Sequence, residues 1–168
     1  RLNKAKAIGL SQDQVMTLSS IVYEESKQKS ELAKIAGVYI NRLNNNWPSQ
    51  ADPTLKFAAY QLPKYKNTII RRVLNKHKNI DSPYNTYKYK GLPIGPIANP
   101  GLSSIKATIT PIESPYLYYL SDRSGNMYYA EDFEEHKKKQ EVVLAFLFGS
   151  FSKKREIEES DIDIAVYI

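Results

Sequence analysis

Residues 11–26 read SQDQVMTLSSIVYEES. Ser11 followed three residues on by Gln14 is a capping-box signature, and Val15, Leu18, Ile21 and Val22 recur at helical spacing. The pattern predicts a helix from Ser11 to about Lys29. Glu24 and Glu25 fall near its end. A helix turns about 100° per residue, so the two glutamates face different surroundings. Glu25, four residues beyond Ile21, lies on the apolar side, and Glu24 lies nearer the flank. A carboxyl on an apolar face loses hydration of its charged form, and its pKa rises toward the range useful to a general acid. The alternative reading is an ordinary carboxylate on a solvated helix end.

Outward from this segment, Leu32, Ile35, Ala36, Tyr39 and Leu43 predict a second helix from about Ser30, closed by Asn44 to Asn46. Trp47 to Thr54, with Pro48 and Pro53, reads as a loop, and a third helix is expected over Ile69 to Lys76. Between Asp81 and Gly101 the chain carries Pro83, Pro93, Pro96 and Pro100 with Gly91, Gly95 and Gly101. That composition excludes a regular helix, and an irregular loop of this length inside a small domain is usually functional. A short helix is expected over Ser103 to Ile109. Tyr116 to Ser121 and Met127 to Ala130 read as a hairpin turning at Ser124-Gly125-Asn126, followed by a charged helix from Asp132 to Gln140. The expected fold class is α+β: a helical domain with a small β-hairpin region and a long Pro/Gly-rich cleft loop.

The 168 residues suffice for one compact domain, and 42% hydrophobic with 25% charged residues is an ordinary globular balance. No stretch approaches the roughly 20 apolar residues that span a bilayer, and no signal-peptide pattern opens the sequence. With no cysteine, disulfides and thiolate chemistry are excluded. His77 and His136 lack metal-ligand spacing, and no cofactor is implied. A net charge of +6 points to a polyanionic or carboxylate-rich partner, or serves solubility alone. Thirteen tyrosines suit flat, amphipathic ligands such as sugar faces or bases.

Ile21-Val22-Tyr23-Glu24-Glu25-Ser26 and Ile35-Ala36-Gly37-Val38-Tyr39-Ile40-Asn41-Arg42-Leu43 resemble the endolytic murein transglycosylase family (MltG, YceG-like). The resemblance continues in order through Ser49-Gln50-Ala51-Asp52-Pro53-Thr54, Asp81-Ser82-Pro83-Tyr84-Asn85-Thr86-Tyr87 and Gly91-Leu92-Pro93-Ile94-Gly95-Pro96-Ile97-Ala98-Asn99-Pro100-Gly101. It extends to Tyr116-Leu117-Tyr118-Tyr119 and Phe133-Glu134-Glu135-His136, covering about residues 15–140. Many members carry Glu-Lys-Glu-Thr at the first segment. Here Tyr23 replaces the first glutamate, and the second aligns with Glu25.

The resemblance implies cleavage of peptidoglycan glycan strands between MurNAc and GlcNAc, with Glu25 as the single acid/base. A hydrolase of the usual kind needs two carboxylates. A lytic transglycosylase needs one, because the sugar's own C6 hydroxyl replaces water and the product ends in 1,6-anhydro-MurNAc. Asn41, Arg42, Gln50, Asp52, Tyr84, Asn85 and Thr86 are the residues expected to line the groove. Asn85 also reads as a turn residue, Asp52 as an Asx-turn before Pro53, and Arg42 as half of an ion pair. A non-catalytic peptidoglycan-binding module is one competing reading, and a nucleotidyltransferase-related protein, suggested by the C-terminal residues, is the other. The family also implies peptidoglycan synthases as partners of the full-length protein. Its implied place is the periplasmic or extracytoplasmic face of the inner membrane, held by an anchor that this sequence lacks. Nucleic acid is not an expected partner.

Residues 141–168 read differently. Val142 to Phe148 is an apolar run fit for a buried strand. Gly149-Ser150 and Asp161-Ile162-Asp163 then resemble the Gly-Ser and Asp-x-Asp signature of nucleotidyltransferases. The expectation is an incomplete strand-loop-strand, of fused origin, whose strands (142–148 and 161–167) invite homodimerisation along an exposed edge.

Overall fold

A computed structural model describes residues 8–122 and 124–151, and the side chains of 144–151 are not described. Helix α1 spans Gln12–Glu25 and α2 spans Leu32–Asn44. Helix α3 covers Asp52–Tyr60, followed by a 3-10 turn at Pro63–Tyr65 and a single turn, α4, at Asn75–Lys78. Helix α5 covers Leu102–Ile109. Strands β1 (Tyr118–Ser121) and β2 (Met127–Ala130) form an antiparallel pair with Tyr119 opposite Tyr129, and α6 runs Phe133–Phe151. The mixture of helices with one two-stranded sheet is an α+β arrangement.

The capping box closes as the sequence predicts. Ser11 Oγ accepts the Gln14 amide at 3.2 Å, and Gln14 Oε1 accepts the Ser11 amide at 2.8 Å. Helices α1, α2 and α5 pack together around Leu18, Ile21, Val22, Ile35, Tyr39 and Ala107. Their approach is close. A Cβ added at Gly37 would lie 2.4 Å from the Ile112 carbonyl oxygen, and Ile112 donates its amide to Ala33 O at 3.0 Å. A second small cluster joins Ala58, Ala59, Ile70 and Ile80 beneath the excursion that follows α3.

Three predicted elements differ. The helix expected over Ile69 to Lys76 is reduced to Asn75–Lys78. Ile70 is buried and donates its amide to the Tyr60 hydroxyl at 3.0 Å, while its neighbours Ile69 and Arg71 are exposed. Residues 66–69 are all exposed, so no stripe at helical spacing faces the domain, and the β-branched run Thr68-Ile69-Ile70 suits extended chain. The end of the predicted Trp47–Thr54 loop is instead the start of α3. Pro53 sits in the first turn, where its missing N–H costs nothing, and Leu55, Ala58 and Ala59 bury the inner face. Finally, the strand expected over Val142 to Phe148 continues α6 as helix. A short apolar run has no periodicity to distinguish the two, and no breaker precedes Gly149. The second expected strand and Asp161 and Asp163 lie outside the described residues.

The Pro/Gly-rich segment from Asp81 to Gly101 contains neither helix nor strand, only an isolated bridge between Pro48 and Gly91. It is tied down at several points. Ser49 Oγ donates to Gly91 O at 2.9 Å, and the Ile97 amide donates to Ser20 Oγ on α1 at 3.0 Å.

Candidate active site

Glu25 is the last residue of α1. Ile21 and Val22 beside it are wholly buried, Glu24 is exposed, and Glu25 itself is partly buried. Its carboxylate meets two tyrosines. Tyr39, on the inner face of α2, donates its hydroxyl to Glu25 Oε1 at 2.6 Å. The Tyr119 hydroxyl, from β1, lies 2.9 Å from that of Tyr39, and the rings meet edge to face. A buried tyrosine needs a polar partner for its hydroxyl. Here the partner is the candidate acid.

The electrostatics follow. Burial pushes the Glu25 carboxyl above the ordinary carboxylate range. Hydrogen bonds from Tyr39 and Tyr119 and the charge of Arg42 oppose that rise, whereas the negative charge of Asp52 adds to it. Burial, reinforced by the adjacent glutamate, holds both tyrosines well above their usual titration, so they remain hydrogen-bond donors. A carboxyl so placed is kept protonated to higher pH than a solvated one while part of it stays reachable.

Arg42, one turn beyond Tyr39, is buried without an ion pair among the described residues. Its Nε donates to Leu117 O at 2.7 Å and its Nη1 to Ser49 O at 2.6 Å. Its guanidinium lies 5.8 Å from the ring centres of both Tyr39 and Tyr118. Cation–π contact and two carbonyls thus take the place of a carboxylate. Asp52 opens α3, is near enough for its charge to act on Glu25, and accepts a short hydrogen bond from the Tyr87 hydroxyl.

The remaining predicted groove residues divide into two groups. Asn41 gives its amide to Ser114 O at 2.6 Å and Tyr116 O at 2.9 Å, fastening the segment that leads into β1. Asn85 is fully buried; its Nδ2 donates to Lys78 O and Ile80 O, and its Oδ1 accepts the amides of Tyr87 and Lys88. Thr86 Oγ1 accepts the Ala51 amide and lies 2.8 Å from Thr54 Oγ1. These three side chains are engaged with the protein itself. Gln50 and Tyr84 are less committed. Gln50 holds a left-handed backbone, φ 49°, costly for a residue other than glycine, and its side-chain amide has no partner among the described residues. Tyr84 packs on Phe57 with its hydroxyl beside Gly95.

His136 is buried on α6 and stacks on Tyr118 at 5.2 Å, its pKa lowered by burial and by Arg42 and Lys139. His77 is also buried, accepts the Leu74 amide through Nδ1 at 2.9 Å and meets the Tyr65 ring. Tyr39 and Tyr119 meet the candidate acid, whereas the sequence reading placed them in the core, in a strand and in the family-like segments without a role.

The profile of the YceG-like family matches residues 1–142, and the chain belongs to that family. It is 42% identical over 131 residues to the endolytic murein transglycosylase of Bacillus subtilis, covering 78% of this chain and 34% of that protein. It is 35% identical over 132 residues to the endolytic murein transglycosylase of Streptococcus pneumoniae, covering 78% and 24%. The crystal structure of a yceG-like protein from Listeria monocytogenes superimposes with a TM-score of 0.69 at 35% identity, over 81% of this chain and 41% of that one. The chain therefore spans less than half of each of these relatives. A polymerase beta nucleotidyltransferase profile matches residues 133–168 and overlaps the first match within α6.

Proposed function

We propose that this chain carries the catalytic centre of an endolytic lytic transglycosylase acting on peptidoglycan. The observation that carries the reading is a single desolvated carboxyl, Glu25, held by Tyr39 at 2.6 Å at the end of α1. In this reading protonated Glu25 gives its proton to the glycosidic oxygen between MurNAc and GlcNAc as the C1–O bond breaks. The C6 hydroxyl of the same MurNAc closes onto C1, and the resulting Glu25 carboxylate takes the hydroxyl proton. The acid is restored and no water is consumed. The attack is intramolecular, so effective molarity supplies much of the acceleration.

Tyr39 fixes Oε1 and leaves Oε2 as the atom that meets substrate. The transition state places positive charge on the sugar ring, and the Asp52 carboxylate favours it electrostatically. Gln50 and Tyr84, whose polar groups are least engaged, contact N-acetyl or hydroxyl groups of the glycan. Arg42, Asn41, Asn85 and Thr86 hold the walls in place. The natural setting is the cell envelope, outside the cytoplasm, with peptidoglycan synthases as neighbours of the full-length protein. The profile match at residues 133–168 supports a second origin for the C-terminal segment, as an incomplete nucleotidyltransferase piece.

The test is mass spectrometry of purified glycan strands after incubation with this chain and with Glu25→Gln. Anhydro-ended fragments from the wild type alone are expected. Reducing ends would point to hydrolysis and a second carboxylate, and equal products from both proteins would remove Glu25 from the reaction.

A further inference from the structure

The chain has 24 basic and 18 acidic residues. Residues 61–80, between α3 and the Pro/Gly-rich segment, hold six of the basic residues (Lys64, Lys66, Arg71, Arg72, Lys76 and Lys78) and no acidic one. The rest of the sequence thus balances at 18 of each, and the entire net charge of +6 sits in one excursion of twenty residues. The same excursion displays apolar side chains to solvent. Ile69 is 81% exposed, more than any other large hydrophobic residue among those described, and Leu74 is 45% exposed. Both have a buried counterpart close by: Ile70 packs with Ala58, Ala59 and Ile80, and His77 packs under Tyr65. The excursion is therefore anchored to the domain, and its outer side is held outward. Ile69 and Arg71, which flank the buried Ile70, are both exposed.

We infer that this excursion is a membrane-docking surface that seats on the anionic headgroups of a bilayer, with Ile69 and Leu74 entering the interfacial layer. Basic residues alone would equally suit a polyanionic polymer. Exposed aliphatic side chains among them do not, because a polymer offers them nothing apolar, whereas the headgroup boundary accepts both. No helix among the described residues is long and apolar enough to cross a membrane, and surface attachment of this kind requires none. The inference is independent of the reaction assigned to Glu25.

The test is co-sedimentation of the full chain with vesicles of phosphatidylcholine alone and of phosphatidylcholine with about one-third phosphatidylglycerol. Binding is expected only to the anionic vesicles, and it should weaken as salt rises. Each basic residue near such a surface contributes about fivefold in partition coefficient. Lys64→Gln/Lys66→Gln/Arg71→Gln should therefore lose on the order of a hundredfold. Ile69→Ser, whose side chain makes no core contact, should lose about fivefold with its circular dichroism unchanged. No partition of the wild type into anionic vesicles overturns the proposal. So does equal partition by the triple variant, which would assign any binding to another part of the chain. A third outcome, inorganic polyphosphate binding as tightly as vesicles with Ile69→Ser indifferent in both, would make the surface a polyanion site and refute membrane docking.

Discussion

Tyr39→Phe isolates the hydroxyl that touches Glu25. The ring of Tyr39 is 1% exposed, and phenylalanine fills the same space, so packing is kept and one oxygen is lost. That oxygen donates to Glu25 Oε1 at 2.6 Å and lies 2.9 Å from the Tyr119 hydroxyl. The bond favours the charged carboxylate, so its loss raises the Glu25 pKa further. A hydrogen bond to a charged group is worth about 1.5–3 kcal/mol, equivalent to roughly one to two pKa units. Tyr119 also acts on Glu25 and takes up part of the loss, so the expected rise is about one unit. A general acid must be protonated in the free enzyme, so the alkaline limb of kcat/KM against pH moves up by that unit. The assay is release of anhydro-ended fragments across a pH series, with thermal unfolding in parallel. The folded protein should lose only about 1 kcal/mol, or roughly 2–4 °C in Tm. An unmoved limb with lowered Tm would reduce Tyr39 to packing. A limb that moves down would refute the hydrogen-bond argument.

Other expectations concern stability. Because burial raises the folded-state pKa of Glu25, its ionisation opposes folding: stability present below the unfolded-state value is lost as pH rises through the folded-state one. Glu25→Gln should therefore melt at or above the wild type at pH 8, by about 2–4 °C for each kcal/mol relieved, and the gap should shrink at pH 4; a variant less stable at pH 8 contradicts this. Gly37→Ala drives a Cβ against the Ile112 carbonyl, which is backbone and yields poorly, so chemical denaturation should register a loss of about 1–3 kcal/mol; a loss below about 0.5 would mean the two segments separate freely. Asn85→Ala removes four hydrogen bonds from a fully buried position and should cost at least about 2–3 kcal/mol, with faster amide exchange at Tyr87 and Lys88; unchanged exchange there would show that the turn does not depend on Asn85.

Much of the frame was legible in the order of residues. The Ser11–Gln14 box, the apolar stripe through Ile21 and the hairpin around Gly125 are local signals, and each is written within a few neighbouring residues. The orientation of Glu25 followed from the same stripe. Helix α3 was obscured because Pro53 reads as a breaker unless it stands in a first turn. The stretch from Thr68 to Leu74 resembles a helix by composition, yet Ile70 is fixed by Tyr60 and a cluster drawn from α3. Tyr39 was legible as core and illegible as a ligand of the acid, since its helical spacing says where the ring points and nothing about what meets its hydroxyl. The available signal was the hydroxyl itself, a polar tip on an apolar face. The predicted roles of Asn41, Asn85 and Thr86 rested on residue type, and type does not reveal that backbone carbonyls and amides already occupy those side chains.

The hydroxyls of Tyr39 and Tyr119 meet across eighty positions of chain. Helices α1 and α2 are neighbours in sequence and close a short loop, so the Glu25–Tyr39 pair belongs to the early, local part of folding. Tyr119 arrives only when the hairpin docks, after a far longer closure. Until then the carboxyl lacks both the second donor and the cover that desolvates it, and it titrates as any surface glutamate would. The upward shift of the Glu25 pKa is thus a property of the finished fold. A chain still emerging from synthesis, or one whose hairpin has opened, carries the glutamate without the surroundings that its proposed role requires.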